Sequence, residues 1–409
     1  MANSRRDFLK KGIGLASLSV AMPHLWLRTA MANARGTSTD KTLVVVQLGG
    51  GNDGLNCVVP FTDGAYFDNR PTLALQPGEV LPISGTHGFH PSMASLLPYF
   101  EAQQLAVVLG AGYPQPNRSH FRSMDIWHTA EPIDVEQIGW LGKYADLHLA
   151  GAGELSAINV GGTLPKSFNA NDVVVPSITS LQAYQFLTDP VYAGDSTNQI
   201  NTFLSTNTRA SATGDELALS GTAKSAYMGS TELQTAAGGY SPMATYPTSR
   251  LGMDMQFAAQ IILAGVGTRV IYVSTGGYDT HANQEGAHAN LLADFANSVA
   301  AFQTDIVAQG AGDRVTVMAF SEFGRRVEEN GSAGFDHGTA GPMFLLGNGI
   351  AGGIFGEQPS LTSLDTNGDL IYTVDFRTVY SDILGTWLEV DAAEILDGQF
   401  TPLGTFKTT

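Results

Sequence analysis

Four polar, glycine-rich clusters follow or flank apolar runs, and this pattern narrows the folds open to the chain. Val44-Val45-Val46-Gln47-Leu48 runs into Gly49-Gly50-Gly51-Asn52-Asp53-Gly54. Val270 to Val273 runs into Gly276-Gly277-Tyr278-Asp279-Thr280-His281, and Val315 to Phe320 runs into Ser321-Glu322-Phe323-Gly324-Arg325. Asp336-His337-Gly338 comes just before Met343-Phe344-Leu345-Leu346. Short apolar runs read as buried strands. In an open parallel α/β sheet, ligands gather at the carboxyl ends of the strands. Here those ends carry Asp, Glu, His and Asn, residue types that bind divalent metals through oxygen and imidazole. Glycines beside them let the backbone turn sharply and leave room for a ligand.

Further along the chain, apolar runs alternate with helical periods. Strands are expected at 42–48, 105–109, 269–274, 314–320 and 343–347, and Val173 to Val175 with Ile178 fit another. Helices are expected at 91–104, 119–130, about 250–264, about 284–309 and about 376–388. This alternation predicts an α/β fold with a mostly parallel central sheet covered by helices on both faces. Residues 190–247 are rich in Ser, Thr, Ala, Gly and Asn, and read as a polar helical insertion or cap.

The first 34 residues read as an address and not as part of the fold. Ser4-Arg5-Arg6-Asp7-Phe8-Leu9-Lys10 looks like a twin-arginine export signal, followed by a moderately apolar stretch and the small-x-small site Ala32-Asn33-Ala34. The expectation is export through the twin-arginine translocase to the periplasm. The apolar stretch is interrupted by Pro23, His24 and Arg28, and is short beside the roughly 20 residues of a membrane span. No stable span is expected after cleavage. The remaining 375 residues (409 minus 34) suffice for one large α/β domain. A single cysteine, Cys57, excludes an intramolecular disulfide. The net charge is −17, and the leader holds five basic residues and one acid, so the rest carries about −21. Such acidity disfavours nucleic acid as a partner, and any anion site must be a local positive patch.

Each cluster has a chemical and a structural reading. Asp53, with Asn52 beside it, is a metal-ligating carboxylate or a helix N-cap. Ser119, in Pro116-Asn117-Arg118-Ser119-His120-Phe121-Arg122, is an N-cap or a nucleophile at a helix N-terminus. Arg118 or Arg122 would add positive charge there, and His120 is a base, a ligand or packing. Asp279 and His281, two apart on a loop, can converge on one ion, and His288 ranks behind His281. Glu322 is a ligand, or an ion-pair partner of Arg325 or Arg326. Asp336 could fix the tautomer of His337, the usual support of a ligating imidazole.

Taken together, these segments resemble the DUF1501 family. The resemblance is carried by Gly-Gly-Asn-Asp-Gly, Arg-Ser-His-Phe, Asp-Thr-His-Ala-Asn-Gln, Ser-Glu-Phe-Gly-Arg-Arg and Asp-His-Gly-Thr-Ala-Gly-Pro. It covers essentially the whole chain after the leader, and implies a distant link to the alkaline phosphatase–sulfatase superfamily. That link implies a hydrolase of phosphate or sulfate esters, using one or two divalent ions (Zn, Ca, Mg or Mn). It implies Ser119 as nucleophile; the residues around it add His120 as a candidate second catalytic group, and Arg118, Arg122 and Asn52 as candidates for substrate. The metal ligands it implies are Asp53, Asp279, His281, Glu322 and His337; the reading of the residues puts Asp336 and Arg325 behind them. Phe323 departs from the superfamily pattern, because it stands where a ligating His is expected. The other reading is a non-catalytic relative that binds a ligand, a polysaccharide or a partner protein.

Overall fold

In the computed structural model, residues 41–407 are described, apart from 190, 192, 209–212 and 214. The expected export leader lies outside the described residues. The strands are β1 (Thr42–Leu48), β2 (Val58–Val59), β3 (Leu81–Pro82), β4 (Gly88–Phe89), β5 (Leu105–Gly112) and β6 (Ala157–Val160). They continue as β7 (Ser177–Ile178), β8 (Val270–Thr275), β9 (Val315–Phe320), β10 (Gly341–Leu346), β11 (Gly353–Phe355) and β12 (Val374–Asp375). A nine-stranded sheet runs in the order β11-β5-β10-β9-β1-β8-β6-β7, with β12 also paired to β5. Strands β2, β4 and β3 form a small separate sheet.

Most pairings are parallel. β1 lies between β8 and β9 in parallel register, with Val45 opposite Tyr272 on one side and Met318 on the other. In the large sheet β10 is the exception, running antiparallel to both β9 and β5, and in the small sheet β4 is antiparallel to β2 and β3. No helix intervenes between β9 and β10. A parallel return needs a crossover, usually helical, so the chain comes back in the opposite direction.

Both faces of the sheet are covered. Val44, Val46 and Leu48 of β1 pack with the helices Arg250–Ala264 and Gln284–Ala308. Leu43 and Val45 point the other way, toward the helices His120–Thr129, Trp140–His148 and Phe376–Asp382. Period-two alternation thus feeds two cores from one uninterrupted apolar run.

Three expected elements differ. The helix expected at 91–104 is a 3₁₀ turn, Pro91–Leu96, followed by a short α-helix, Leu97–Glu101. Pro98 lacks the amide proton that a continuous helix needs at that point. Val173 to Val175 do not form a strand; pairing begins at Ser177, just after Pro176. The closing helix ends as a π-turn over Ile383–Trp387. Within the polar insertion, Ala193–Thr206 and Asp215–Ala237 are helical. Among the described residues, no helix is long and apolar enough to cross a membrane.

Candidate functional site

The loops after β1, β8 and β9, together with the stretch before β10, meet at one end of the sheet. Their meeting point is tight. Gly50 has φ +120°, and a Cβ there would sit 2.5 Å from the Asp279 amide nitrogen. Gly51 has φ +74°, and its Cβ would fall 2.3 Å from the Phe323 ring. Glycine is required at both positions by backbone conformation and by space.

Arg325 is the clamp of this junction. Its buried guanidinium donates to the carbonyls of Gly50, Gly51 (2.7 Å), Tyr278 (3.0 Å) and Phe335 (2.9 Å), and to Asp279 Oδ1 (2.6 Å). Three loops far apart in sequence are therefore tied to one side chain. Burial raises the Asp279 carboxyl pKa, but the Arg325 hydrogen bond and charge and the neighbouring imidazoles of His337 and His281 outweigh it, and hold it down at about 2.

On the open side of Asp279, two imidazoles converge. His337 Nδ1 lies 2.8 Å from the Arg118 carbonyl oxygen. A carbonyl only accepts, so Nδ1 carries the proton and, in the neutral ring, Nε2 holds a bare lone pair. Burial lowers the His337 pKa despite the nearby Asp279 carboxylate and the Arg118 carbonyl, which favours the neutral ring. Nε2 then faces Asp279 Oδ1 at 3.0 Å and His281 Nε2 at 2.9 Å. His120 repeats the pattern. Its Nδ1 is 2.8 Å from Glu322 Oε1, and its Nε2 is buried with no hydrogen-bond partner.

The donor atoms of His120, Asp279 and His337 all lie within 4.8 Å of one another. His120 Nε2 and Asp279 Oδ2 are 3.5 Å apart, beyond hydrogen-bond reach for so buried a nitrogen. That separation matches the edge, about 3.4 Å, of a tetrahedral shell with bonds of about 2.1 Å. Bare lone pairs facing a carboxylate repel unless a cation lies between them. These three residues therefore fit a divalent ion. His281 stands at the margin, 43% exposed, with Nε2 3.0 Å from Asp279 Oδ1 and Nδ1 3.4 Å from Asp336 Oδ1. Asp336, held in turn by Asn330 (3.3 Å), orients His281, not His337 as expected.

The remaining expected residues do not join this cluster as ligands. Asp53 is fully buried, and both of its oxygens take a hydrogen bond from Arg70 Nη1, at 2.9 and 2.8 Å. Gln284 Nε2 adds a further bond of 2.7 Å to Oδ2. Burial alone would raise the Asp53 carboxyl pKa; the Arg70 and His288 charges and these hydrogen bonds override it and lower it. A guanidinium thus sits where a ligated ion was expected. Glu322 is buried and acts on His120, fixing its tautomer while also accepting from the Gly50 amide at 2.8 Å. Asn52, expected at the substrate, is buried and accepts from His288 Nε2 at 2.8 Å. Burial lowers the His288 pKa to about 4, so that ring is a neutral donor. Arg122 Nη2 donates to the carbonyls of Pro132, Ile133 and Asp134, while Nη1 is buried without a partner. Phe323 packs against both His120 and His337, with ring centroids 4.8 Å away in each case.

Ser119 is the exposed N-cap residue of His120–Thr129, and its hydroxyl makes no capping bond. Its amide donates to Asn117 Oδ1 at 2.9 Å. Arg118 is half-exposed and 3.4 Å from Asp369, whose carboxyl pKa burial raises against the pull of Arg118 and Arg326. Beside His120, an open groove of about 450 Å³ is lined by Gln47, Phe121, Asp125, Thr163, Lys166 and Ser274, among others. Phe121 is 90% exposed at its rim. Arg70 was missed in the sequence. It lies 17 positions from Asp53, in a turn that carries no motif of its own.

The family model described as a protein of unknown function, DUF1501, matches residues 40–393, and the chain belongs to that family. No curated protein matches the sequence. Similar solved structures include Ps i-CgsB in complex with k-i-k-neocarrahexaose, at 9% identity and TM-score 0.39, covering 89% of this chain and 76% of that one. Another is the C-terminal periplasmic domain of EcEptC from Escherichia coli in complex with zinc, at 10% identity and TM-score 0.34, covering 90% and 84%. A third is a TAB5 alkaline phosphatase mutant with magnesium bound, at 11% identity and TM-score 0.33, covering 77% and 95%.

Proposed function

We propose that the protein is an exported hydrolase of phosphate or sulfate esters that works with one divalent ion. The observation that carries this reading is the convergence of His120 Nε2, His337 Nε2 and Asp279, with both imidazole tautomers set by partners behind them. Two nitrogens and one carboxylate suit zinc or manganese better than calcium or magnesium. Such an ion supplies Lewis-acid stabilisation of charge on an ester oxygen. Ser119, exposed beside His120 at a helix N-terminus, is the candidate nucleophile, and the helix amides and Arg118 favour an anionic group there. Arg325 holds Asp279 in place and lowers its proton affinity. The groove beside His120 would receive the alcohol part of the ester. Export rests on Arg5 and Arg6; changing both to Lys should leave the precursor in the cytoplasm, and normal periplasmic delivery of that variant would remove the assignment.

One observation favours a second reading, in which the fold binds an anionic ligand without turnover. Asp53, a candidate ligand for a second ion, is paired with Arg70 instead. A screen of phosphate and sulfate esters with protein loaded with zinc or manganese separates the two. Turnover lost in Ser119→Ala, with metal content kept, supports the covalent hydrolase. Full activity in Ser119→Ala favours attack by water. Absence of turnover on every ester, with the metal bound, favours the binding protein.

A further inference from the structure

Arg70 is among the largest fully buried side chains of the described residues, and one of its nitrogens is crowded by side-chain oxygens. Nη1 carries two hydrogens yet faces three side-chain oxygens: Asp53 Oδ1 at 2.9 Å, Asp53 Oδ2 at 2.8 Å and Asn56 Oδ1 at 2.8 Å. Tyr66 steadies Asn56 through a 2.7 Å bond to the same Oδ1. Nε and Nη2 donate to the carbonyls of Val327 and Arg326, each at 3.0 Å, and the guanidinium carbon lies 3.9 Å from the centre of the Phe335 ring. An all-oxygen cage around a positive centre is the donor set of a hard divalent cation.

We propose that Arg70 is a tethered cation occupying a latent metal site formed by Asp53 and Asn56, which commits the protein to a single exchangeable ion. The guanidinium cannot dissociate, and its charge is independent of metal supply. It also binds the cage to the 326–327 segment, next to the Arg325 clamp. This inference deepens the proposed one-ion site by fixing the ion number; the cage itself stands on its own contacts.

The test uses the full chain without its leader, with magnesium and calcium chloride as probes. Arg70→Ala should melt well below wild type in a chelator. It should regain about 3 °C or more when either salt is in hundredfold excess over its dissociation constant. It should also hold one more equivalent of metal than wild type. The double variant Arg70→Ala/Asp53→Asn should show neither effect. A merely structural arginine predicts loss of stability without cation recovery, and that result would overturn the proposal. A second measurement does not depend on Arg70→Ala folding. Asp53→Asn in the otherwise wild-type chain should keep its full metal content; losing an equivalent would mean that Asp53 ligates an ion and would sink the idea. Wild type that binds no metal would defeat the proposed function, while the cation recovery of Arg70→Ala would still report on the cage.

Discussion

Asp53 and Asp279 end neighbouring strands of one sheet, and each has its acidity raised by an arginine, yet they are solved in opposite ways. Asp53 is sealed from solvent, and both of its oxygens are saturated by Arg70 and Gln284. Asp279 is half-exposed; Arg325 takes one oxygen and the other faces an unpartnered imidazole nitrogen. A carboxylate beside an arginine is thus no single kind of object. Where both oxygens are taken and solvent is shut out, the pair is closed to an exchangeable ion. Where one side is left open toward other bare donors, the pair is a half-built binding site.

The sharpest way to break this contrast is to remove each cation. Arg70→Ala in metal-free buffer leaves a buried, unpaired carboxylate and should cost about 3–5 kcal/mol in denaturant unfolding. His120→Ala, which empties only the open side, should cost under about 1 kcal/mol while losing the metal. Equal losses would mean that the two sides do the same job.

Acid offers a second contrast. Burial lowers the pKa of His288 and His128 to about 4, so folding favours their neutral forms. Their contribution is whole above the ordinary histidine value, about 6.5, and drains away as pH falls toward 4, by a few kcal/mol in all. Asp279, at about 2, behaves as a depressed carboxylate; its contribution is present above about 3.9 and is lost only between there and 2. Stability measured from pH 7 to 2 should therefore fall first through the buried histidines. His288→Asn should flatten the upper part of that curve. Metal release is read separately, by dialysis at each pH. The smallest effect belongs to Ser119→Ala. Its hydroxyl is exposed and caps nothing, so unfolding should stay within about 0.5 kcal/mol of wild type. A larger loss would give Ser119 a structural role.

The central strands were legible because burial on both faces writes itself as unbroken apolar runs. β1 spans the expected 42–48, and the helix Arg250–Ala264 begins at the Ser249 cap and stops at Gly265, with φ +70°. The antiparallel course of β10 was not legible, since direction is set by the connection and not by the strand's own residues. Nor was β6, four residues long and without a distinguishing pattern. At the site, Asp279, His281 and His337 could be read because their loops carry a dense set of ligating types. The exchange of roles between His120 and Glu322 could not. A strand end tells where a residue lies, whereas its role depends on which atom faces which, and Glu322 turns toward the ring of His120. Arg70 was invisible for the same reason, since its partners are assembled only by the fold.

Elemental analysis of the exported protein, taken from its host without chelators, tests the account most directly. One equivalent of a transition metal is predicted, absent from His337→Ala and retained in Asp53→Asn. Two equivalents in wild type, or one that survives loss of His337 and disappears with Asp53, would contradict it.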